Sequence, residues 1–237
     1  ETSVKTSGRR FLAGGIVRQY CFDAVTVFRY MLGVSPLVLA QQYASHNRRR
    51  AFAAVVIFAR YPYSGKVKTR LAAGIGETRA REIYKRCAEQ TFREMRRVTG
   101  NVYRYIFAEN AQDIPRLRRW AGRIFLYAAQ DPGGLGERIK AAFHSVLYHG
   151  AEKAVVVGSD TPDLSASLVQ EALSCLNDHD CVIGPARDGG YYLIALKQPS
   201  DVLFEHIDWS SKRVYEQTMA RARSAGLRVK TLGTLYD

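Results

Sequence analysis

The run Ala53-Ala54-Val55-Val56-Ile57-Phe58-Ala59, with its counterpart Ala154-Val155-Val156-Val157 far downstream, constrains this chain more than any other feature. Neither run alternates apolar with polar residues. A strand that is apolar at every position has no face to offer water, and such strands lie inside a parallel sheet covered on both sides. Around them, helical stripes alternate with short β-rich stretches. Helices are expected over 77–98, 114–120, 135–148, 168–176 and 209–225, and further strands over 101–108, 123–128, 181–183, 191–196 and 227–232. The polar stretch 60–76 reads as a loop. This alternation predicts a three-layer α/β/α domain on a mostly parallel sheet. In such sheets ligands bind outside the carboxyl ends of the strands.

The formal net charge of +13 points to anionic partners. Part of it belongs to residues 1–50, where eight Lys/Arg face only Glu1 and Asp23 and the stretch closes on Arg48-Arg49-Arg50. Those residues read as an N-terminal extension: an Arg-rich, acid-poor targeting segment, or an unrelated helical stretch. The transferase-like domain is expected over 51–237. The apolar stretch 24–40 is broken by Arg29 and Pro36 and is too short for a membrane span. No nucleic-acid reader motif occurs, and the basic residues of 79–97 are interleaved with Glu82, Glu89 and Glu94 as on a solvated helix face. Nucleic acid is therefore not an expected partner. Cys21, Cys87, Cys175 and Cys181 form no C-x-x-C pair, which suits reduced thiols in the cytoplasm, or in an organelle if residues 1–50 are a transit segment.

Five motifs carry candidate chemistry. The first runs from Arg60 through Gly65-Lys66-Val67-Lys68-Thr69-Arg70, directly after the first buried strand. In an extended loop Lys66, Lys68 and Arg70 project to one side, an arrangement suited to a di- or triphosphate. A solvated basic loop is the plainer alternative. The second, Gly158-Ser159-Asp160-Thr161-Pro162-Asp163, ends another buried strand. Asp160 there is placed to hold Mg²⁺ or Mn²⁺ against substrate phosphates, or merely shapes the turn, while Asp163 reads as the cap of the next helix. The third, Asp188-Gly189-Gly190-Tyr191-Tyr192, offers a second metal or acceptor carboxylate in Asp188, or simply a hairpin turn. The fourth, Asp131-Pro132-Gly133-Gly134-Leu135-Gly136-Glu137-Arg138, opens a helix that could receive an anion, or forms an ordinary capping loop. The fifth, Ile207-Asp208-Trp209-Ser210-Ser211-Lys212, offers Trp209 to stack on a base or sugar, or a buried aromatic with Ser210 as N-cap. No Ser/His/Asp triad or histidine metal spacing is present.

With these motifs in this order, residues 53–237 resemble the DUF2064 family of GT-A-like transferases. The resemblance implies a nucleotide-diphospho-sugar transferase fold and a glycosyltransferase that takes a nucleotide-activated donor and a small-molecule acceptor. It implies that the loop from Gly65 to Arg70, with Arg60, lies over the nucleotide phosphates. It equates Asp160 with the metal-binding acid of GT-A enzymes; with the residues as read above, Asp160 and Asp188 are the expected catalytic carboxylates. The acceptor side would be lined by Gly189, Gly190 and Tyr191, with Trp209 beside them. A more distant likeness to guanylyltransferases of the phospholactate type makes nucleotidyl transfer the first alternative. A non-catalytic nucleotide-binding scaffold is the second. Three departures accompany the resemblance: Gly134 stands where the family has Asp, Ala195 where it has Gly, and the chain stops at Leu235-Tyr236-Asp237, short of the family's further acidic residues. The domain is thus expected to be truncated at its C-terminus.

Overall fold

The computed structural model describes residues 52–63 and 69–236, with side chains at 52–63 and 71–236. The N-terminal extension and the loop residues Gly65, Lys66 and Lys68 lie outside the described residues. So do the side chains of Thr69 and Arg70.

Among the described residues seven strands form one sheet: β1 (Phe52–Ala59), β2 (Val102–Ala108), β3 (Leu126–Ala129), β4 (Ala151–Gly158), β5 (Cys181–Pro185), β6 (Tyr191–Leu196) and β7 (Val229–Thr231). Their order is β3-β2-β1-β4-β6-β5-β7. All neighbours pair in parallel except β6, which runs antiparallel to both β4 and β5. Among the described residues six α-helices connect them: α1 (Thr69–Ile75), α2 (Glu77–Arg97), α3 (Ile114–Ala121), α4 (Leu135–Tyr148), α5 (Ala166–Cys175) and α6 (Val214–Ser224). The expected three-layer, mostly parallel architecture is present.

The unbroken apolar runs explain why the two central strands sit where they do. In β1, Val55 and Ile57 enter a core with Tyr84, Phe92 and Met95 of α2, Leu117 of α3 and Val169 of α5. Ala54 and Val56 enter the opposite core with Ile139 and Phe143 of α4 and Ala222 of α6. β4 divides in the same way, with Val155 and Val157 on one side and Ala154 and Val156 on the other. Each fully buried Val or Ile contributes roughly 1.5–3 kcal/mol of transfer free energy. Only a sheet sandwiched between helices collects that gain on both faces.

From β1 the chain proceeds to β2 and β3 on one side, then crosses to β4 on the other. The strand order therefore reverses between β1 and β4, and the crevice at their carboxyl ends is the topological switch point.

Two elements differ from expectation. The stretch after β1 is not loop throughout: α1 begins at Thr69, driven by the strong helix formers Leu71, Ala72 and Ala73, and ends where the Gly76 N–H donates to Ala72 O at 2.9 Å. An extended chain projecting Lys66, Lys68 and Arg70 to one side therefore cannot run past Lys68. The last helix begins at Val214, not at 209, because Ser210 has a φ of 66° and interrupts the helical path. Cys87, Cys175 and Cys181 are free thiols, and burial pushes the pKa of Cys181 up to about 12. No helix among the described residues is long and apolar enough to cross a membrane.

Candidate functional site at the switch point

Register aligns the carboxyl ends of the strands. Phe58 of β1 lies beside Gly158 of β4 and Phe107 of β2, and Ala108 lies beside Ala129 of β3. The chain leaves each strand in step with its neighbour. The Glu109 N–H donates to Ala59 O at 2.9 Å, and the Gln130 N–H donates to Ala108 O at 2.8 Å. Arg60, Glu109 and Gln130 thus form a continuous polar rim. Arg60 pairs with Glu109 at 3.1 Å, and Arg138 from α4 reaches Glu109 at 3.8 Å and Gln130 Oε1 at 3.4 Å. Arg138 also donates from Nε to Gly133 O at 2.9 Å. Sequence reasoning missed Glu109 as a site residue. The signal was present, because Glu109 follows a strand as directly as Arg60 does.

A buried tyrosine links the two sides of the switch point. The Tyr84 hydroxyl accepts the Arg60 N–H at 3.0 Å, donates to Arg60 O at 3.0 Å and lies 2.9 Å from Ser159 Oγ. A phenol has one proton, so with that proton on Arg60 O the Ser159 hydroxyl is the donor to Tyr84. Burial raises the Tyr84 pKa, with the charge of Asp160 acting in the same direction, so the phenol stays neutral. From the sequence, Tyr84 is one position of the helix expected over 77–98. Its polar role depends on where α2 crosses the strand ends.

Asp160 is half-buried just beyond β4. Its Oδ1 lies 3.1 Å from the position that a Cβ on Gly158 would occupy, so the last residue of the strand is a glycine under the returning carboxylate. Asp163 does not cap the next helix. It is exposed, and Ser165 caps α5 by accepting the Leu168 N–H at 3.3 Å, with Glu94 Oε2 accepting the Ala166 N–H at 3.0 Å. Ser165 wins because it precedes the first helical residue and has the extended backbone of an N-cap.

Asp188-Gly189-Gly190 forms the hairpin between β5 and β6. Ala186 and Gly190 pair at 3.0 Å, and Asp188 Oδ1 accepts the Gly190 N–H at 2.9 Å. Gly189 has a φ of 92°, and a Cβ there would collide with the Lys212 carbonyl, so packing alone requires this glycine. The carboxylate of Asp188 is exposed at the same end of the sheet as Asp160, because Val157 of β4 pairs with Leu193 of β6. The Tyr191 hydroxyl is buried in the core beside Thr218, so what this residue offers a ligand at the strand ends is not its hydroxyl.

Trp209 is half-buried against the start of α4, where a Cβ on Gly136 would meet its Nε1 at 2.5 Å. Its ring stands edge-on to Tyr191 at 6.3 Å. Ser210 is not an N-cap. Asp208 instead braces the start of α6, bonded to Gln217 at 2.9 Å and Arg213 at 2.6 Å. Gly134 has an extended backbone, and a Cβ there would meet nothing within 4 Å, so the position has room for a side chain to begin.

The structure thus gathers Arg60, Asp160 and the Asp188–Gly190 hairpin at one end of the sheet. It places Trp209 and Gly136 together on the α4–α6 side. Among the described residues no three His, Cys, Asp or Glu side chains converge as a protein-built metal cage. A half-buried carboxylate such as Asp160 fits a Mg²⁺-type ion that takes its remaining ligands from phosphates and water.

The family model described as an uncharacterized protein conserved in bacteria (DUF2064) matches residues 93–211. The crystal structure of a candidate nucleotide-diphospho-sugar transferase from Desulfovibrio desulfuricans G20 is similar at 33% identity and a TM-score of 0.74, over 79% of this chain and 82% of that one. Two more distant structures share the fold at 13% identity and a TM-score of 0.51. One is a CMP:2-keto-3-deoxy-manno-octonic acid synthetase complexed with CTP, matched over 77% of this chain and 90% of that one. The other is 4-diphosphocytidyl-2C-methyl-D-erythritol synthase from Anaerococcus prevotii DSM 20548, matched over 77% and 89%. No curated protein matches the chain.

Proposed function

The chain belongs to the DUF2064 family, and on that premise we propose that it is a metal-dependent transferase that draws a glycosyl group from a nucleotide-diphospho-sugar onto a small-molecule acceptor. The observation that carries this reading is the seating of Arg60 and Asp160 at adjacent strand ends across the switch point, where Tyr84 bonds Arg60 and Ser159, the residue before Asp160.

In this reading the donor diphosphate lies over the crevice. Arg60, Gly65, Lys66, Lys68, Thr69 and Arg70 bind its oxygens, the cations by charge-assisted hydrogen bonds. Glu109 holds the Arg60 guanidinium in place by their ion pair. Asp160 is the residue that would hold Mg²⁺ or Mn²⁺, which when bound offsets the charge on the departing diphosphate. Asp188, Gly189 and Gly190 approach from the β5–β6 hairpin and border the acceptor, with Tyr191 and Trp209 on the α4–α6 side. The groups at the strand ends need little rearrangement to meet charge that builds up during transfer, and that preorganisation is the main catalytic contribution available here.

A second reading, nucleotidyl transfer from an NTP to a phosphorylated acceptor, is favoured by the fold shared with the synthetase and synthase above. Product analysis separates the two. The chain is incubated with Mg²⁺ and either nucleotide sugars or NTPs, across a panel of acceptors. Release of nucleoside diphosphate supports glycosyl transfer, and release of pyrophosphate supports nucleotidyl transfer. Release of neither, with nucleotide still bound, would leave a binding scaffold.

A further inference from the structure

On the α2–α3 face, just past the strand ends, Tyr61, Pro62, Lys85, Arg116, Arg119 and Trp120 enclose a concavity of about 280 Å³. Tyr61, Pro62 and Trp120 are half-buried and form its floor, while Lys85, Arg116 and Arg119 are exposed and form its rim. Tyr61 meets Trp120 edge-on at 6.0 Å. The indole is fixed from below, because Trp120 Nε1 donates to Glu89 Oε1 at 2.9 Å.

The charges around this concavity are unbalanced. Arg116 is satisfied by Asp113 at 3.4 Å and by the hydroxyl of Tyr63, which itself donates to Asp113 at 2.5 Å. Lys85 and Arg119 have no ion-pair partner among the described residues. With Arg116 paired to Asp113, Lys85 and Arg119 are the two rim cations without an ion pair among the described residues, and a bound oxyanion would supply them with charge-assisted hydrogen bonds. The aromatic floor covers a flat apolar group more readily than a second charge, and arginine adds a cation–π contribution.

We propose that this concavity is a second small-molecule site, which takes a compact phosphorylated ligand with a flat apolar body. It lies on the opposite face of the sheet from Trp209 and Gly136, and it uses neither Asp160 nor the α4–α6 side. It therefore stands whether or not the proposed transfer reaction does.

The chain has two tryptophans, Trp120 and Trp209, and so gives two indole N–H resonances in a ¹⁵N–¹H spectrum. Trp120→Phe assigns them. Phenyl phosphate is the probe, with phenol in a parallel arm. The expected result is a saturable shift of the Trp120 resonance with phenyl phosphate, a stationary Trp209 resonance, and little response to phenol. Lys85→Glu with Arg119→Glu should weaken binding by at least about tenfold, since two attractive contacts become repulsive. Lys85→Gln with Arg119→Gln serves if the charge reversal disturbs the native spectrum. An unmoved Trp120 resonance, an equal response to phenol, or undiminished binding in the double variant would overturn the proposal.

Discussion

The Tyr84 hydroxyl lies 2.9 Å from Ser159 Oγ while bonding both backbone groups of Arg60, so one side chain of α2 ties the end of β1 to the end of β4. Ser159 is buried, which leaves its hydroxyl dependent on this contact. Tyr84→Phe should cost about 1–3 kcal/mol in denaturant unfolding, the range for stranding buried polar groups. It should reduce kcat/KM by more than the stability loss explains, because Arg60 and Ser159, the residue before Asp160, lose their common anchor. Ser159→Ala removes one partner only and should have the smaller effect on both measurements.

Asp160→Asn retains the shape of the turn and removes the charge. Product formation should fall on the order of a hundredfold or more, the scale seen when one preorganised electrostatic group is lost. The circular dichroism spectrum should be unchanged. Dialysis against a chelator should abolish the wild-type activity, and added Mg²⁺ or Mn²⁺ should restore it. An Asp160→Asn variant as active as the wild type would remove this carboxylate from the mechanism.

The glycines of the fourth motif separate packing from capping. Gly136→Ala drives a methyl to 2.5 Å from Trp209 Nε1 and should destabilise the fold by about 1–3 kcal/mol, as overpacking does. Gly134→Asp meets open space at the N-cap of α4 and should stabilise by roughly 0.5 kcal/mol through capping and the helix dipole. Thermal unfolding of the two variants, shifted in opposite directions, is the check.

Most of the architecture was legible because the apolar runs at 53–59 and 154–157 admit few alternatives to a sheet buried on both faces. The strand ends followed from them, and with those ends the positions of Arg60 and Asp160. What escaped was tertiary in origin. The seating of Tyr84 under Ser159, the ion pair of Glu109 with Arg60, and the packing of Trp209 on Gly136 each join residues remote in sequence. The misplaced caps at Asp163 and Ser210 have a local cause. Several side chains in those turns can cap a helix, and only backbone conformation chooses among them.

Glu94 gives the fold a pH dependence. Its carboxylate accepts the Ala166 N–H and pairs with Arg97, and the Ala166 bond is the main cause that lowers its pKa. A lowered carboxylate contributes stability that is present above the ordinary glutamate value and lost as pH falls through the lowered one. Glu94→Gln should cost about 1 kcal/mol near neutrality, as loss of a helix cap does. It should also flatten the decline in stability on the acid side of pH 4.5. Urea titrations at neutral and acid pH would show the two curves converging at the acid end.

The central claim is that the switch point between β1 and β4 binds a nucleotide diphosphate with the help of Asp160. Titration calorimetry of the chain with UDP-, GDP- and dTDP-sugars, with and without Mg²⁺, tests it directly. The account predicts saturable binding of at least one of these donors, strengthened by Mg²⁺ in the wild type and insensitive to Mg²⁺ in Asp160→Asn. Absence of heat with every nucleotide sugar, or the same Mg²⁺ enhancement in Asp160→Asn, would contradict it.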